Sequence, residues 1–237
     1  MASLFYFKQF CIDQTDCAMK VNTDGVLLAA ILDSVLPTKI LDVGTGTGLI
    51  ALMLAQRFPS ALIDAVEIDE NTAKTAKMNF SESPFLNRIR LFHSSIERYL
   101  LNYDGQYDLI VSNPPFFINS LRSKDPLKEI ARHTDYSFFE NLLKESANKL
   151  SNKGLLYIIL PIETSKMIEK IMASIPELKI IAEILIHSFT ASKPHRKVLQ
   201  IGFKISEPLV KNFVIYEKAG IYTSEYRMLL KDFLTIF

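Results

Sequence analysis

Residues 39–58, KILDVGTGTGLIALMLAQRF, constrain the fold more than any other stretch of the chain. A short apolar run from Lys39 to Gly44 enters a turn with three glycines, and a second apolar run with helical spacing, Leu49 to Phe58, leaves it. Strand, glycine-rich turn and helix follow without a gap, as at the start of a βαβ unit. Gly44, Gly46 and Gly48 permit backbone angles that other residues avoid and let the chain pass close to a ligand, while the helix start offers free N–H groups. A second strand, Leu62 to Val66, ends in Glu67-Ile68-Asp69. An acid about 20 residues beyond the last glycine can accept hydrogen bonds from both hydroxyls of a ribose. The third glycine stands one position earlier than in the dinucleotide pattern G-x-G-x-x-G, which favours an adenosine-type ligand without pyrophosphate over NAD.

The second informative stretch is Tyr107 to Phe116, YDLIVSNPPF. An apolar strand stops where two prolines can neither donate a backbone hydrogen bond nor continue a ladder. Pro114 and Pro115 stiffen the turn, so the Asn113 amide and the Phe116 ring are held at the carboxyl end of a strand, where open α/β sheets bind their ligands.

Around these two stretches the alternation of strand and helix continues. Leu4 to Ile12 predicts a short strand or hairpin. Asn22, Thr23 and Asp24 are good capping residues for a helix from Gly25 to Asp33, closed by Pro37. Helices are expected over Glu70 to Phe80, Phe138 to Leu150, Thr164 to Ala173 and Thr223 to Leu234, and a short helix or turn over Ser95 to Leu101. Strands are expected at Ile89 to His93, Gly154 to Leu160, Lys179 to His187 and Val198 to Ile205. The last two are joined by so short a link that they must be antiparallel neighbours. Ile118 to Asp135, polar and basic, reads as a loop, and Asn212 to Tyr216 as an apolar segment of the tail.

At 237 residues the chain has room for one α/β domain. We expect a single domain over residues 1–237, with an extension over 1–36 and a core over 37–237. No apolar run approaches the roughly 20 residues of a membrane span, and no secretory signal opens the chain, so a cytoplasmic protein without a membrane partner is expected. Two cysteines and four scattered histidines have no ligand spacing, which predicts no metal. The net charge of +1 gives no evidence for a nucleic-acid partner, so any such binding must come from local patches. Two are visible: Arg122, Lys124, Lys128, Arg132 and His133 after the Asn-Pro-Pro-Phe turn, and Lys193, His195, Arg196 and Lys197 further on. Either can also be an ordinary solvated loop.

Seven strands ending in an antiparallel pair, DVGTGTG after the first, an acid after the second and NPPF after the fourth resemble the Rossmann-like, class I S-adenosylmethionine-dependent methyltransferases. The resemblance implies an α/β fold: a seven-stranded, mostly parallel sheet with one antiparallel strand and helices on both faces. FKQF, AMKVNTDGVLL, ALMLAQRFP, IDAVEID, VSNPPF, ARHT, PHRKVL and the closing SEY are similar to the bacterial tRNA(Val) adenine-N6 methyltransferases, and this similarity reaches both termini. That family methylates the adenosine immediately 3′ of the anticodon.

The resemblance implies S-adenosylmethionine as cofactor and a tRNA anticodon stem-loop as partner. Asp42, Gly44, Gly46 and Gly48 would line the cofactor, Glu67 would hold its ribose, Ile68, Ser95 and Ile96 would lie at its adenine, and Lys20, Thr23 and Asp24 would close its methionine end. Asn113, Pro114, Pro115 and Phe116 would be the catalytic turn. Ser95 stands where relatives often carry an acid, and Phe116 where tyrosine is commoner. Oligomeric state is not legible, a monomer being the default. Four other readings stay open: a protein glutamine N5-methyltransferase, a DNA adenine methyltransferase with little room for a target-recognition domain, a nicotinamide-dependent oxidoreductase that leaves NPPF unexplained, and a non-catalytic RNA-binding module that has kept a cofactor pocket, although no motif is visibly broken.

Overall fold

The computed structural model describes residues 3–15, 17, 20–32, 36–115, 126–204 and 207–237, with the backbone path alone for 126–135. An N-terminal hairpin, β1 (Leu4–Tyr6) and β2 (Cys11–Asp13), precedes helix α1 (Thr23–Ala30). Then follow β3 (Lys39–Val43), α2 (Leu49–Arg57), β4 (Leu62–Glu67), α3 (Glu70–Ser81), β5 (Ile89–His93), α4 (Ile96–Leu101) and β6 (Tyr107–Ser112). The second half runs α5 (Pro126–Lys149), β7 (Leu150–Pro161), α6 (Ile162–Met172), β8 (Lys179–Phe189), β9 (Arg196–Gly202), β10 (Leu209–Lys218), β11 (Ile221–Tyr222) and α7 (Ser224–Leu230).

The main sheet has the strand order β11-β10-β8-β9-β7-β6-β3-β4-β5. From β3 the chain steps outward through β4 to β5, then returns to the other side of β3 as β6 and continues to β7, all in parallel. That reversal makes the crevice beyond the carboxyl ends of β3 and β6 the topological switch point, where ligands bind in open α/β sheets. Register aligns the exits: Val43 pairs with both Val66 and Ser112, and Glu67 with His93.

The strands read as near-continuous apolar runs because both faces are covered. Ile40, Ile63, Leu109 and Tyr157 pack on one side, with α1, α2, α3 and α7. Leu41, Val66, Ile110 and Leu156 pack on the other, with α4, α5 and α6. Leu52 of α2 is wholly buried, and cutting such a side chain to alanine costs about 2–5 kcal/mol.

The seven-stranded core expected from sequence is β3 to β9, and β9 is antiparallel to both its neighbours. Two further strands correct the expected count. Asn212 to Tyr216 is the centre of β10, which adds to β8 in parallel, and β11 folds back on β10 as a second reversed strand. The second correction concerns Ile118 to Asp135, expected to be a loop: from Pro126 onward this stretch is the start of one 24-residue helix. Proline is favoured at a first helical position, and Leu, Lys, Glu and Arg are good helix formers, so charge density misleads here where propensity does not.

Candidate active site

The glycine turn is held from below. Gly44 and Thr45 both donate their amides to the Val66 carbonyl, at 2.9 and 3.1 Å, which ties the turn to the end of β4. All three glycines adopt positive φ, +70° at Gly44, +59° at Gly46 and +86° at Gly48. They differ in what lies above them. A Cβ on Gly44 or Gly46 would meet nothing within 4 Å, whereas one on Gly48 would stand 2.3 Å from the Phe80 ring. The first two therefore face open space on the ligand side, and the third lets α2 pack against α3.

Glu67 closes one end of this cradle. Its two carboxylate oxygens accept the Gly46 and Asp69 amides, each at 2.9 Å, leaving further lone pairs for a ligand. Ile68, the next residue, is 69% exposed, an apolar face without cover beside the carboxylate. Ser95 caps α4, its hydroxyl accepting the Arg98 amide, and Ile96 is buried behind it. The Ser94 amide donates to the Glu67 carbonyl, so both strand ends are bonded together.

The other end is built by the N-terminus of α1. Asn22 caps the helix, accepting the Gly25 amide at 2.9 Å. Lys20, Asn22 and Gly25 then line one cleft with residues 44–47 of the glycine turn and with Asn113. Asp24 accepts a 2.6 Å hydrogen bond from Nε of Arg196, a half-buried ion pair. Asp42, fully buried beneath the turn, accepts the Thr45 hydroxyl at 2.6 Å and the Ala51 amide at 3.2 Å on Oδ2, while its Oδ1 has no partner among the described residues. Burial pushes its carboxyl up to about 7, against the pull of those two bonds and with the help of the Glu67 charge.

Asn113 lies at the switch point, where the Ser112 hydroxyl anchors the end of β6 to the Val43 carbonyl of β3 at 3.0 Å. Asn113 is 8% exposed, and its Oδ1 is buried without a partner among the described residues. A buried amide oxygen left unbonded costs about 1–3 kcal/mol, and such an atom in a cleft marks a place for a donor. Pro114 is buried and Pro115 exposed beside it.

Phe116, Arg122 and Lys124 lie outside the described residues. Lys128, Arg132 and His133 fall in the first half of α5. Lys193 and His195 are exposed on the link between β8 and β9; burial and then the neighbouring Arg196 lower the His195 pKa. Lys197 is in a different setting from Lys193. It is buried, with its ammonium 2.8 Å from Glu183 and near Glu169, so the structure places it in an internal charge cluster. Among the described residues no group of three or more His, Cys, Asp or Glu can hold a metal, and no helix is long and apolar enough to cross a membrane.

Sequence reasoning passes over Asn79. Buried on α3, it accepts the Asp13 amide and donates to the Asp13 and Thr47 carbonyls, all at 2.9 Å, joining hairpin, helix and glycine turn. The available signal is a polar residue on the stripe formed by Ala73, Ala76 and Phe80.

Residues 10–184 match the family described as Methyltransferase small domain. The chain is 47% identical to the tRNA1(Val) (adenine(37)-N6)-methyltransferase of Pedobacter heparinus over the full length of both proteins. It is 41% identical to the protein of the same name from Trichodesmium erythraeum, covering 97% of this chain and 96% of that one. Among solved structures, a protein of Agrobacterium tumefaciens described as a predicted O-methyltransferase superposes with a TM-score of 0.67 at 19% identity, over 89% of this chain and 96% of that one, and shares the fold.

Proposed function

The chain belongs to the tRNA1(Val) (adenine(37)-N6)-methyltransferase family, and on that premise we propose that it methylates the N6 amine of the adenosine on the 3′ side of the anticodon in a valine tRNA. The observation that carries the mechanism is the buried Oδ1 of Asn113 at the switch point, which has no partner among the described residues. The names of the full-length relatives state an RNA adenine substrate, which favours this chemistry over a protein glutamine or a nicotinamide reaction.

An exocyclic adenine amine is a poor nucleophile because its lone pair is delocalised into the ring. Asn113 Oδ1 and the Pro114 carbonyl would each accept one N–H of that amine, which would localise the lone pair and aim it along the cleft. No base is needed beforehand, because the nitrogen turns acidic as its new bond forms and then gives its proton to solvent. In-line positioning of this kind can supply up to roughly 7–11 kcal/mol of the rate enhancement. Phe116 would stack on the flipped base, worth about 1–3 kcal/mol.

S-adenosylmethionine would supply the methyl group, carried on a positively charged sulfur. The residues present fit it: the open faces of Gly44 and Gly46 admit a ligand against the backbone, and Glu67 has free lone pairs beside an uncovered Ile68. Glu67 would take the ribose hydroxyls, Ile68, Ser95 and Ile96 the adenine, and Lys20, Thr23 and Asp24 the methionine end, with Asp42 supporting the glycine turn from beneath. Lys193 and His195, with Arg122, Lys124, Lys128, Arg132 and His133, would grip phosphates of the anticodon stem-loop; Arg196, read from sequence as one of that set, is engaged by Asp24, and Lys197 by Glu183. We further propose that the protein acts as a single-domain monomer in the cytoplasm, where its RNA substrate is found.

The test is incubation with labelled S-adenosylmethionine and tRNA from cells lacking the modification, then digestion to nucleosides and mass spectrometry. N6-methyladenosine is expected. Cofactor binding without an RNA product would overturn the substrate assignment and favour a protein glutamine.

A further inference from the structure

The aromatic residue at the carboxyl end of β8, Phe189, has no role in the chemistry above, and it is built to stay where it is. The residue is 39% exposed. Its amide donates to the Ser192 hydroxyl at 3.0 Å, and its carbonyl accepts the Ser192 amide at 2.9 Å. Below it, the ring is 5.7 Å from that of Tyr216, which stacks on Tyr222 at 4.9 Å, which stacks in turn on the buried Tyr226 at 4.7 Å and 6°. Phe189 is thus the outer rung of a ladder of rings rooted in the core.

Its position is as informative as its rigidity. β8 runs parallel to β7 and β6 through the reversed β9, so Phe189 lies on the same sheet edge as Asn113. Three strand spacings separate β8 from β6, about 14 Å across the edge, and by register Phe189 stands five residues, roughly 16 Å, further out along the strands than Asn113. The link that follows Phe189 carries the exposed Lys193 and His195, and ends at Arg196. Arg196 is bonded to Asp24. The next residue, Gly25, packs so that a Cβ there would stand 3.5 Å from the Asn113 amide nitrogen. The link that follows Phe189 is therefore tied at its far end to the Asn113 side of the cleft through one ion pair. Lys218, at the end of the adjoining β10, adds another exposed cation, against one acid on that strand, Glu217.

We infer that Phe189 is a second base-stacking platform, which takes an unstacked base of the anticodon loop a few nucleotides from the methylated adenosine while Lys193 and His195 meet the adjoining phosphates. This rests on the RNA-methyltransferase reading and adds to it a substrate-positioning residue. A rigid, exposed aromatic face interleaved with cations is the arrangement by which proteins hold single-stranded RNA, because every base has a π-face and the backbone is anionic. A flat apolar surface for another copy of the chain would not need the flanking cations.

The experiment is steady-state methylation of an anticodon stem-loop by wild type, Phe189→Ala, Phe189→Leu and Phe189→Trp. Leucine keeps the apolar bulk and guards against a loss of folding. Alanine and leucine should raise the KM for RNA by roughly 5- to 150-fold, the range that a lost stacked base implies. The loss should fall on KM rather than kcat, with tryptophan restoring it and the affinity for S-adenosylmethionine unmoved. An unchanged KM for the RNA in both the alanine and leucine variants would overturn the inference and leave the proposed function standing, as would a change of oligomeric state in Phe189→Ala by light scattering. Failure of the wild type itself to methylate the stem-loop would overturn both.

Discussion

The side-chain amide of Asn79 donates to the carbonyl of Thr47 across 2.9 Å, and through the same side chain the glycine turn is joined to both backbone polar groups of Asp13. One residue of α3 therefore fixes the turn against the N-terminal hairpin, from which the chain proceeds to Lys20 and Asn22 at the mouth of the cleft. Replacing Asn79 with Ala strands three buried or half-buried groups, at about 1–3 kcal/mol for each that water cannot reach. The variant should unfold at lower urea and bind S-adenosylmethionine more weakly, both readable by titration. Asn79→Asp keeps only the acceptor and should recover little.

Asn113→Ala removes the acceptor proposed for the adenine amine without touching the glycine turn. A drop in kcat on the order of 100- to 1,000-fold is expected, as when one transition-state hydrogen-bonding group is deleted elsewhere. Calorimetry should find S-adenosylmethionine binding largely intact. Turnover near the wild-type rate would sink the mechanism.

The three glycines should separate in mutagenesis. Gly46→Ala meets nothing within 4 Å, so its cost to folding is about the 1–2 kcal/mol of a left-handed residue; its methyl group would intrude where the cofactor lies, and binding should suffer most. Gly48→Ala drives a methyl group into Phe80 at 2.3 Å. It should lose stability first, and Phe80→Leu in the same chain should recover part of the melting temperature.

Asp42 gives the protein a pH dependence with a definite sign. Its carboxyl titrates near 3.8 when unfolded and is pushed up to about 7 when folded, chiefly by burial. The folded state then holds a proton that the unfolded state has released, so this stability is complete below about pH 4 and is lost as pH rises towards 7. Every tenfold difference in proton affinity between the two states is worth about 1.4 kcal/mol. In urea titrations, Asp42→Asn should therefore look more stable relative to wild type at pH 8 than at pH 5. An equal difference at both would refute the assignment.

Lys193 and Lys197 stand four residues apart and should behave oppositely. Lys193→Ala removes an exposed cation, so it should flatten the salt dependence of RNA affinity by about one unit of log–log slope. Lys197→Ala leaves Glu183 and Glu169 without their shared cation. It should cost about 1–3 kcal/mol of stability, discounted for the exposure of Glu169, and leave the salt slope unchanged.

Sequence alone determined the features with a local cause. The strand ends before Gly44 and Asn113, the capping of α1 by Asn22, the acid Glu67 at the end of β4 and the seven-stranded core all follow from turn chemistry, spacing and period, which act over a few residues. Tertiary structure decided what depends on distant partners. That β10 finds the free edge of β8, that Asn79 bolts three elements together, and that Phe189 crowns a ladder of tyrosines depends on residues far away in the chain. So does the fate of the basic cluster: Arg196 and Lys197 read as equals of Lys193, but alternation along β9 turns one towards Asp24 and the other towards Glu183, leaving Lys193 facing solvent. A charge in sequence shows that a partner is needed; only packing determines whether that partner is an acid of the same chain or a phosphate of another molecule.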